Sequence, residues 1–419
     1  MWAEPYGWHA ERMRSVPDHQ AAVAALFPAP EAVRVPTATA LGLVTVDDVD
    51  APISLPGFDN SAMDGYAVRA AEVAGASAER PVALPVAHDI PAGRTDRLTL
   101  APGTAHRIMT GAPLPDGADA VVPVELTDGS VTTVSITAAV EPGKHIRRAG
   151  SDITRGEQAL PAGITIGPPQ IGLLAALGIT EVLVARRLRV VVLSTGSELV
   201  TAGTELEYGQ IYESNGAMLT AAVTAAGAMA RHLHFVPDDV DDFLARLDEV
   251  ADDADLIITS GGVSAGAYEV VKDALSRNPS VEFVKVAMQP GMPQGCGRIP
   301  APSGGSVPII TLPGNPVSAL VSFEVFIRPP LRTAMGMPAD RPRVTATLGA
   351  DVRSPNGKRQ FLRGVLRTGN AGPVVDPIGP PASHHLRYLA AADALIDIPA
   401  DVVELGAGAS VEGWILDRG

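Results

Sequence analysis

The chain has 419 residues, 46% of them hydrophobic, and a formal net charge of −15 at pH 7. This length suggests two to four domains at about 100–200 residues each, and the acidic balance argues against nucleic acid or an anionic membrane as a partner. The single cysteine, Cys296, excludes an intrachain disulfide and any metal site built on several cysteines, as expected in a reducing compartment.

No transmembrane segment is predicted. The two long uncharged stretches, 158–180 and 299–323, are both interrupted by prolines, so neither provides the roughly 20 continuous helical residues that cross a bilayer. The first residues, Met1-Trp2-Ala3-Glu4-Pro5, lack the basic and apolar regions of a secretory signal. We therefore expect a cytoplasmic protein without a membrane partner.

The first 187 residues combine two helices with short strands. A helical pattern over 14–33 is ended by prolines, and 167–178 has the form of a helix that begins with proline and ends with glycine. Between them, residues 51–150 lack helical periodicity and carry short β-type runs separated by Gly and Pro. This region predicts a small β domain.

A different pattern begins at residue 188. Apolar runs typical of strands buried on both faces alternate with helical segments. The strands are predicted at 188–193, 229–236, 256–259 and 307–312, and the helices at 216–226, 239–251, 267–276 and 316–328. The alternation predicts a central, doubly wound α/β domain. Residues 338–419 return to short β runs and predict a small β domain at the C-terminus, so the chain is multidomain α/β plus β.

Three loops that follow predicted strands of the α/β domain are rich in Gly, Ser and Pro. They read Ser194-Thr195-Gly196-Ser197-Glu198, Thr259-Ser260-Gly261-Gly262-Val263-Ser264-Ala265-Gly266 and Pro313-Gly314-Asn315-Pro316-Val317-Ser318. Such loops emerge at the edge of a parallel sheet where ligands bind, and glycine lets backbone N–H groups approach an anion. Turn and cap chemistry explains each loop alone equally well. Three together favour a phosphate-bearing ligand.

Three acidic residues, Glu198, Asp238 and Glu269, fall on the same predicted edge. Each also suits the cap or first turn of a helix. Carboxylates repel a phosphate unless a cation lies between them, and Mg²⁺ prefers one or two carboxylates plus phosphate oxygens. The acids therefore predict a magnesium-bridged ligand. Lys285 and Arg363 are candidate cations that would otherwise be ordinary surface charges.

Two polar segments mark the small β domain. They are Asp59-Asn60-Ser61-Ala62-Met63-Asp64-Gly65-Tyr66 and Arg107-Ile108-Met109-Thr110-Gly111-Ala112-Pro113. Closely spaced Asp, Asn, Ser and Gly usually form a turn. On pattern alone, we interpret both segments as structural.

Five short segments of the chain are informative when they are taken together, in their order along the sequence. They are Phe58-Asp59-Asn60-Ser61-Ala62-Met63-Asp64-Gly65-Tyr66-Ala67-Val68, Arg107-Ile108-Met109-Thr110-Gly111-Ala112-Pro113, Gly209-Gln210-Ile211-Tyr212, Ser260-Gly261-Gly262-Val263-Ser264 and Leu312-Pro313-Gly314-Asn315-Pro316-Val317-Ser318. Together they resemble the signatures of the molybdopterin molybdenumtransferases of the MoeA type. The match runs from about residue 14 to the C-terminus, and five motifs in order make it specific.

The resemblance implies a reaction and an assembly. Enzymes of this family bind adenylated molybdopterin and molybdate, cleave the adenylate with Mg²⁺, and release AMP as molybdenum joins the dithiolene sulfurs. They are homodimers in which the α/β domain of one subunit and the β domain of the other share an active site. Transient contact with molybdopterin adenylyltransferase, which makes the adenylated substrate, is also implied.

The family organisation implies four domains here. A linking and dimerisation domain comprises 14–57 and 151–187, and the small β domain comprises 58–150. The α/β molybdopterin-binding domain comprises 188–337, and the C-terminal β domain, which the resemblance implies is β-barrel-like, comprises 338–419.

Motif position carries the family's functional residues onto this chain. The candidate catalytic residues are Asp64, Thr110, Glu198, Asp238, Glu269 and Lys285, of which Glu198, Asp238 and Glu269 are the candidate magnesium ligands. The candidate substrate-binding residues are Ser260, Gly261, Gly262, Ser264, Gly266, Pro313, Gly314, Asn315, Pro316, Ser318, Arg363 and Ser383. This assignment replaces the structural interpretation of the segments that hold Asp64 and Thr110.

The chain departs from the family pattern at Ser197 and Glu269, where Asp is common, and at one further segment. Many members carry Lys-Pro-Gly-Lys-Pro where this sequence reads Gln289-Pro290-Gly291-Met292-Pro293. The loss of both lysines predicts weaker molybdate binding than in the lysine-bearing members.

Two alternatives to insertion are a molybdopterin adenylyltransferase, which the α/β domain also resembles, and a non-catalytic molybdopterin-binding scaffold. The additional β domains favour insertion.

Overall fold

The computed structural model describes residues 13–234, 239–261, 270–370 and 372–416. The chain divides into two compact units. One unit is formed by Arg34–Leu41 and Thr45–Val184, and the other by the described residues of Met1–Val33, Gly42–Val44 and Ala185–Gly419. The predicted division into four domains is finer than this one and stays a prediction.

The smaller unit is built almost entirely of short strands. Its strands, including two at its borders, are β1 (Ala32–Pro36), β2 (Val49–Asp50), β3 (Asn60–Ser61), β4 (Gly65–Val68), β5 (Val82–Ile90), β6 (Ala105–Ile108), β7 (Ala120–Pro123), β8 (Thr133–Ile136), β9 (Ile146–Arg147), β10 (Gln158–Leu160) and β11 (Glu181–Ala185). Five of them form a sheet in the order β7-β4-β6-β5-β8. Its core includes Tyr66, Val122 and Ile136, which are all fully buried. The predicted small β domain is therefore present.

Within the described residues, two α-helices precede the α/β domain in sequence. Helix α1 (Val16–Ala24) is shorter than the helical pattern over 14–33, and helix α2 (Pro168–Ala176) begins at the predicted proline. Ser15 caps α1 because its hydroxyl accepts from the Asp18 N–H at 3.1 Å. The buried side chains Val16 and Val23 of α1 pack into the core of the α/β domain.

The α/β domain alternates strands with helices. Its elements are β12 (Arg189–Ser194), β13 (Leu199–Val200), β14 (Ile211–Tyr212), α3 (Asn215–Ala225), β15 (Met229–His234), α4 (Val240–Ala251), β16 (Leu256–Ser260), α5 (Val270–Leu275), β17 (Val281–Lys285), β18 (Met288–Gln289), β19 (Pro293–Pro300), β20 (Ser306–Leu312) and α6 (Pro316–Ser322), which a π-helical turn (Phe323–Ile327) joins to α7 (Arg328–Thr333). The predicted strands and helices are confirmed within a few residues where the chain is described.

The central sheet has the order β15-β12-β16-β20-β19-β17. The first four strands are parallel, as predicted. The sequence did not predict β19, which is antiparallel to both of its neighbours. A short turn with positive φ at Gly304 and Gly305 joins β19 to β20, and so short a connection permits only antiparallel pairing. Because β17 is antiparallel to β19, it runs in the same direction as β20.

The C-terminal region forms a closed barrel. Its elements are β21 (Arg343–Leu348), β22 (Val352–Arg353), β23 (Arg359–Gly369), β24 (Gly372–Pro377), α8 (Leu386–Ala391), β25 (Ala394–Ile398), β26 (Glu404–Leu405) and β27 (Ser410–Ile415). The order β23-β24-β21-β27-β25 closes on itself through a β23–β25 pairing. Strand β18 adds to β23 from the α/β region. The predicted fold class, α/β with flanking β domains and a barrel, is confirmed.

Candidate active site

The carboxyl ends of the parallel strands lie at one edge of the α/β sheet. Ser194, the last residue of β12, pairs with His234 of β15 and with Ser260 of β16. Ser260 pairs in turn with Leu312, the last residue of β20. The loops that follow β12, β16 and β20 therefore begin side by side, as the sequence predicted.

The loop after β16 packs against the loop after β12 and against the end of β20, with the main chains in contact. Gly261 has φ +100°, and a Cβ atom at this position would lie 2.6 Å from the Thr195 carbonyl oxygen. The Gly261 N–H donates to the Leu312 carbonyl at 3.2 Å, and the Thr195 N–H donates to the Ser260 carbonyl at 3.2 Å. Only glycine combines this backbone conformation with so close an approach.

Asn215, which begins α3, connects two of the loops. Its Nδ2 atom donates to Ser260 Oγ at 2.9 Å and to the Gly314 carbonyl oxygen at 2.6 Å. We call Asn215, Ser260 and Gly314 the loop clamp. Asn215 was not among the site residues predicted from the sequence, and it is the first residue of α3, whose N-cap is Ser214. Its place shortly after the Gly209–Tyr212 motif was the signal available.

A buried polar network lies beside the loop clamp. Glu213 Oε1 accepts from Ser194 Oγ at 3.0 Å and from the Gly216 N–H at 2.6 Å. Ser194 Oγ also lies 3.1 Å from His232 Nε2. A Cβ atom on Gly216 would lie 1.9 Å from His232 Nε2. The network thus fixes the start of α3, and with it Asn215, in a space that admits only glycine at 216. Ser194 is fully buried, which excludes it as a nucleophile.

Glu198 lies exposed in the loop after β12. Its carboxylate lies over Gly196, because a Cβ atom built there would be 2.7 Å from Glu198 Oε2. The Glu198 carbonyl accepts from the Ile211 N–H at 2.9 Å, which ties this loop to β14. The carboxylate is therefore available at the predicted edge, and its hard oxygen atoms suit Mg²⁺.

Several predicted site residues lie outside the described part of the chain. They are Asp238, Gly262, Ser264, Gly266 and Glu269. Within the ranges that the structure describes, no group of three or more His, Cys, Asp or Glu side chains could hold a metal ion. Two of the three candidate magnesium ligands are not in those ranges, so the metal site stays a prediction.

The loop after β20 leads directly into α6. Asn315 is the N-cap and Pro316 the first residue of the helix, but the Asn315 side chain makes no capping hydrogen bond. Pro313 is buried whereas Gly314 and Asn315 are exposed, and Ser318 is buried in the first turn of α6. The main chain of this loop is therefore exposed, and the Asn315 side chain does not occupy its N–H groups.

Lys285 also lies at the carboxyl edge of the sheet. It pairs with Pro293, and Gly295, two residues further along β19, pairs with Thr311 near the end of β20. Because three strand spacings of about 4.8 Å separate β17 from β16, Lys285 lies roughly 14 Å from Ser260 along this edge. The edge can accommodate an extended ligand.

Arg363 is buried in the barrel and organises the loop that carries Ser383. Its Nη1 atom donates to the Ala382 carbonyl oxygen at 3.0 Å, and Nη2 donates to the Pro380 carbonyl oxygen. Burial lowers the pKa of Arg363 from its usual value. The Ser383 carbonyl accepts from the Val317 N–H of α6 at 3.1 Å. The structure thus brings Ser383 to the loop after β20, while Arg363 Nε is buried and has no hydrogen-bond partner among the described residues.

Asp64 and Thr110 meet in the smaller unit. The Thr110 N–H and its hydroxyl both donate to Asp64 Oδ1, each at 2.7 Å. These donors, first the backbone N–H and then the hydroxyl, lower the pKa of Asp64. Both residues are exposed. The neighbouring Gly65 lets strand β4 approach strand β7 closely, since a Cβ atom at position 65 would lie 2.0 Å from the Val122 carbonyl oxygen.

Three family models match this chain along nearly its whole length. Residues 14–178 match the MoeA N-terminal region (domain I and II), residues 191–333 a probable molybdopterin binding domain, and residues 345–416 the MoeA C-terminal region (domain IV). The N- and C-terminal matches distinguish the chain from proteins that consist of the α/β domain alone.

Full-length relatives agree with these models. The chain is 59% identical over 411 residues to molybdopterin molybdenumtransferase 2 of Mycobacterium tuberculosis (strain ATCC 25618 / H37Rv), a match that covers 96% of this chain and 100% of the relative. It is 37% identical to molybdopterin molybdenumtransferase 1 of the same strain, over 96% of this chain and 98% of the relative.

A solved structure gives the same result. The molybdopterin biosynthesis MoeA protein of Pyrococcus horikoshii superposes with a TM-score of 0.79 at 30% identity, over 97% of this chain and 100% of the other. The family resemblance and the enzyme class that the motifs predicted are thereby confirmed. The chain belongs to the MoeA family of molybdopterin molybdenumtransferases, the enzymes that insert molybdenum into molybdopterin during biosynthesis of the molybdenum cofactor.

Proposed function

We propose that the substrates are molybdate and adenylated molybdopterin, and that insertion of molybdenum is coupled to cleavage of the phosphoanhydride and release of AMP. The observation that supports this is the arrangement of the carboxyl edge. A neutral, glycine-lined loop clamp lies roughly 14 Å from Lys285 along the sheet, so an extended ligand can contact both.

The clamp end suits the phosphate-bearing part of the ligand. Ser260, Gly261 and the exposed Gly314 main chain border the ligand there, and the motif match adds Gly262, Ser264 and Gly266. Main-chain N–H groups of glycine-rich loops hold phosphate without a bulky cation. This is the role we assign to the loops after β16 and β20.

The Lys285 end suits the oxyanion. Lys285 carries the charge, and Arg363 positions the Ser383 loop by donating to its carbonyl groups. Ser318 and Ser383 are the hydroxyl donors that the motif match assigns to this end. Charge-assisted hydrogen bonds are roughly twice as strong as neutral ones, which matters in a chain of net charge −15.

Magnesium is the cofactor that this reaction requires. The exposed Glu198 carboxylate fits Mg²⁺, which uses few carboxylates together with phosphate oxygens. We assign Asp238 and Glu269 as further ligands from motif position. When bound, the metal would act as a Lewis acid on the phosphoanhydride. Glu198 would orient the metal at the edge of the loop clamp.

We also propose that the enzyme is a cytoplasmic homodimer in which Asp64 and Thr110 act in the partner's active site. We propose in addition that it transiently contacts molybdopterin adenylyltransferase. The Thr110 donors hold the pKa of Asp64 below its usual value and fix the position of its carboxylate. Complementation tests the shared site. Mixed Asp64→Ala and Lys285→Ala subunits should regain activity that neither variant has alone. No recovery in proven mixed dimers would contradict it.

The reaction itself is tested by product analysis. We expect AMP release from adenylated molybdopterin to require both molybdate and Mg²⁺, and molybdenum to appear in the product. Incubation with molybdopterin and ATP alone should form no adduct. Adduct formation would support the adenylyltransferase alternative, and AMP release independent of molybdate would overturn the proposed coupling.

A further inference from the structure

Two of the chain's four lysines lie on neighbouring segments where the α/β sheet joins the barrel, since the Arg359 N–H donates to the Ala287 carbonyl oxygen. The lysines are Lys144, Lys272, Lys285 and Lys358. Lys285 ends β17, and the next residue, Val286, donates its N–H to the Met292 carbonyl oxygen at 2.8 Å. Lys358, directly before β23, places its Nζ atom 3.7 Å from Met292 Sδ. We call Lys285, Met292 and Lys358 the basic corner.

No carboxylate of the described residues forms an ion pair with Lys358. Arg359, the next residue, forms an ion pair with Asp397, and Arg14 forms one with Glu282. Among the residues that the structure describes, the side-chain contact of the Lys358 ammonium is the Met292 thioether, which is only a weak acceptor. A half-buried ammonium without a carboxylate favours an external anion.

The segment beneath Lys358 is held firmly. Gln294 Nε2 donates to the Gly291 carbonyl oxygen at 2.6 Å and to Ser322 Oγ at 2.7 Å. Gly291 has φ +97°, and a Cβ atom there would lie 2.7 Å from Ser322 Oγ. The Arg359 N–H donates to the Ala287 carbonyl oxygen at 3.0 Å. The barrel strand that delivers Lys358 is thus hydrogen-bonded to the segment that follows Lys285.

We propose that Lys358 binds an oxyanion, and that together with Lys285 it holds molybdate in the basic corner. This inference rests on the proposed function of the same edge. The segment from Gln289 to Pro293 has no cation of its own, and Lys358 brings one from the barrel to the side of Met292. An ammonium is a compact point charge whose three donors suit a small tetrahedral dianion.

The test compares substitutions that remove or move this charge in the full-length enzyme. Lys358→Gln should raise the molybdate concentration for half-maximal rate by about tenfold or more, as expected for a lost charge-assisted hydrogen bond. The half-saturating concentration of adenylated molybdopterin and the rate at saturating molybdate should change little. Lys144→Gln, which removes an exposed lysine of the smaller unit, should leave all three values unchanged.

A charge swap separates the role of charge from that of packing. In the double variant Lys358→Met with Met292→Lys, the ammonium and the thioether exchange places. We expect this double variant to have a half-saturating molybdate concentration close to that of the wild type, and well below that of Lys358→Gln. A structural defect would not be repaired in this way.

Equilibrium dialysis with molybdate alone, read as protein-bound molybdenum, makes the test independent of turnover. Weaker binding by Lys358→Gln than by the wild type supports the proposal even if AMP release fails to depend on molybdate. Equal binding by both, while Lys285→Gln binds less, would overturn it. A change confined to the half-saturation for adenylated molybdopterin would show that the anion is a substrate phosphate, and would likewise overturn the molybdate assignment.

Discussion

The loop clamp and the basic corner lie on the same edge of one sheet but are built differently. The clamp joins Asn215, Ser260 and Gly314 through neutral hydrogen bonds of 2.9 and 2.6 Å. The corner has two lysines, Lys285 at the end of β17 and Lys358 directly before β23, and the Lys358 ammonium lies 3.7 Å from the Met292 thioether. We therefore expect the clamp to set the geometry of a large ligand and the corner to set the concentration at which a small anion binds.

This difference separates two kinds of defect. Changes at the clamp should lower the rate at saturating substrate and alter stability, because the loops and α3 depend on one another. Changes at the basic corner should shift the molybdate concentration for half-maximal rate. They should alter stability less, because hydrogen bonds of other residues hold the backbone that carries these charges. Four predictions follow in order of expected effect.

The largest effect is expected beside the clamp. Gly216→Ala would place a Cβ atom 1.9 Å from His232 Nε2 and 2.4 Å from Ser194 Oγ, and such overpacking costs about 3 kcal/mol or more of stability. Thermal unfolding and AMP release measure it. Gly172→Ala in α2, which meets nothing within 4 Å, is the control and should stabilise by about 0.5–1 kcal/mol. A fully stable Gly216→Ala enzyme would refute the packed network.

On the barrel side, Arg363→Met should lower the free energy of unfolding by about 2 to 3 kcal/mol, because the Pro380 and Ala382 carbonyl groups lose a charged donor. The Ser383 loop should loosen and the half-saturating molybdate concentration should rise. Arg387→Met, at an exposed arginine of α8, should have neither effect. If Arg363→Met changed stability but not the molybdate dependence, the loop would have no part in binding the anion.

At the clamp itself, Asn215→Ala removes two hydrogen bonds and should cost about 1 to 2 kcal/mol, with about a tenfold fall in kcat. The matched control is Asn278→Ala, since Asn278 Nδ2 also donates to a carbonyl oxygen, that of Arg298, before the start of β17. We expect a similar change in thermal stability there with kcat unchanged. Equal kcat in both variants would reduce the clamp to a structural feature.

The smallest effect concerns the pKa of Asp64. Thr110→Val removes the hydroxyl donor but keeps the backbone N–H, so the pKa of Asp64 should rise towards its usual value without reaching it. These donors stabilise the carboxylate form. Their contribution is therefore present at neutral pH and is lost as the pH falls through the lowered pKa. NMR titration of the carboxyl carbon measures the shift, and Thr110→Ser should titrate as the wild type does.

The sequence predicted the edge of the α/β sheet because strand and helix alternation has a local signature. The loops after Ser194, Ser260 and Leu312 begin where the apolar runs end, and parallel strands bring them together. Glycine and proline marked the same loops. These features depend on spacing along the chain, so no distant contact had to be known.

Features that depend on distant pairing were not predictable. Strand β19 is rich in glycine and weakly apolar, and its place in the sheet follows from pairing with β17 and β20. The closure of the barrel depends on a β23–β25 register that no local pattern encodes. Lys358 and Met292 are 66 residues apart in sequence. Asp64 and Thr110 were interpreted as turn residues until the family resemblance paired them.

Strand β18 limits how this enzyme can be dissected or recombined. Met288 and Gln289 pair with Arg359 and Gln360 of the barrel, although the chain then returns to the α/β sheet as β19. A chain cut after residue 337 would leave β18 as an exposed strand edge, which invites aggregation. Chimaeras that exchange barrels between relatives must therefore carry matching β18 and β23 segments, and those two segments must vary in concert as the proteins diverge.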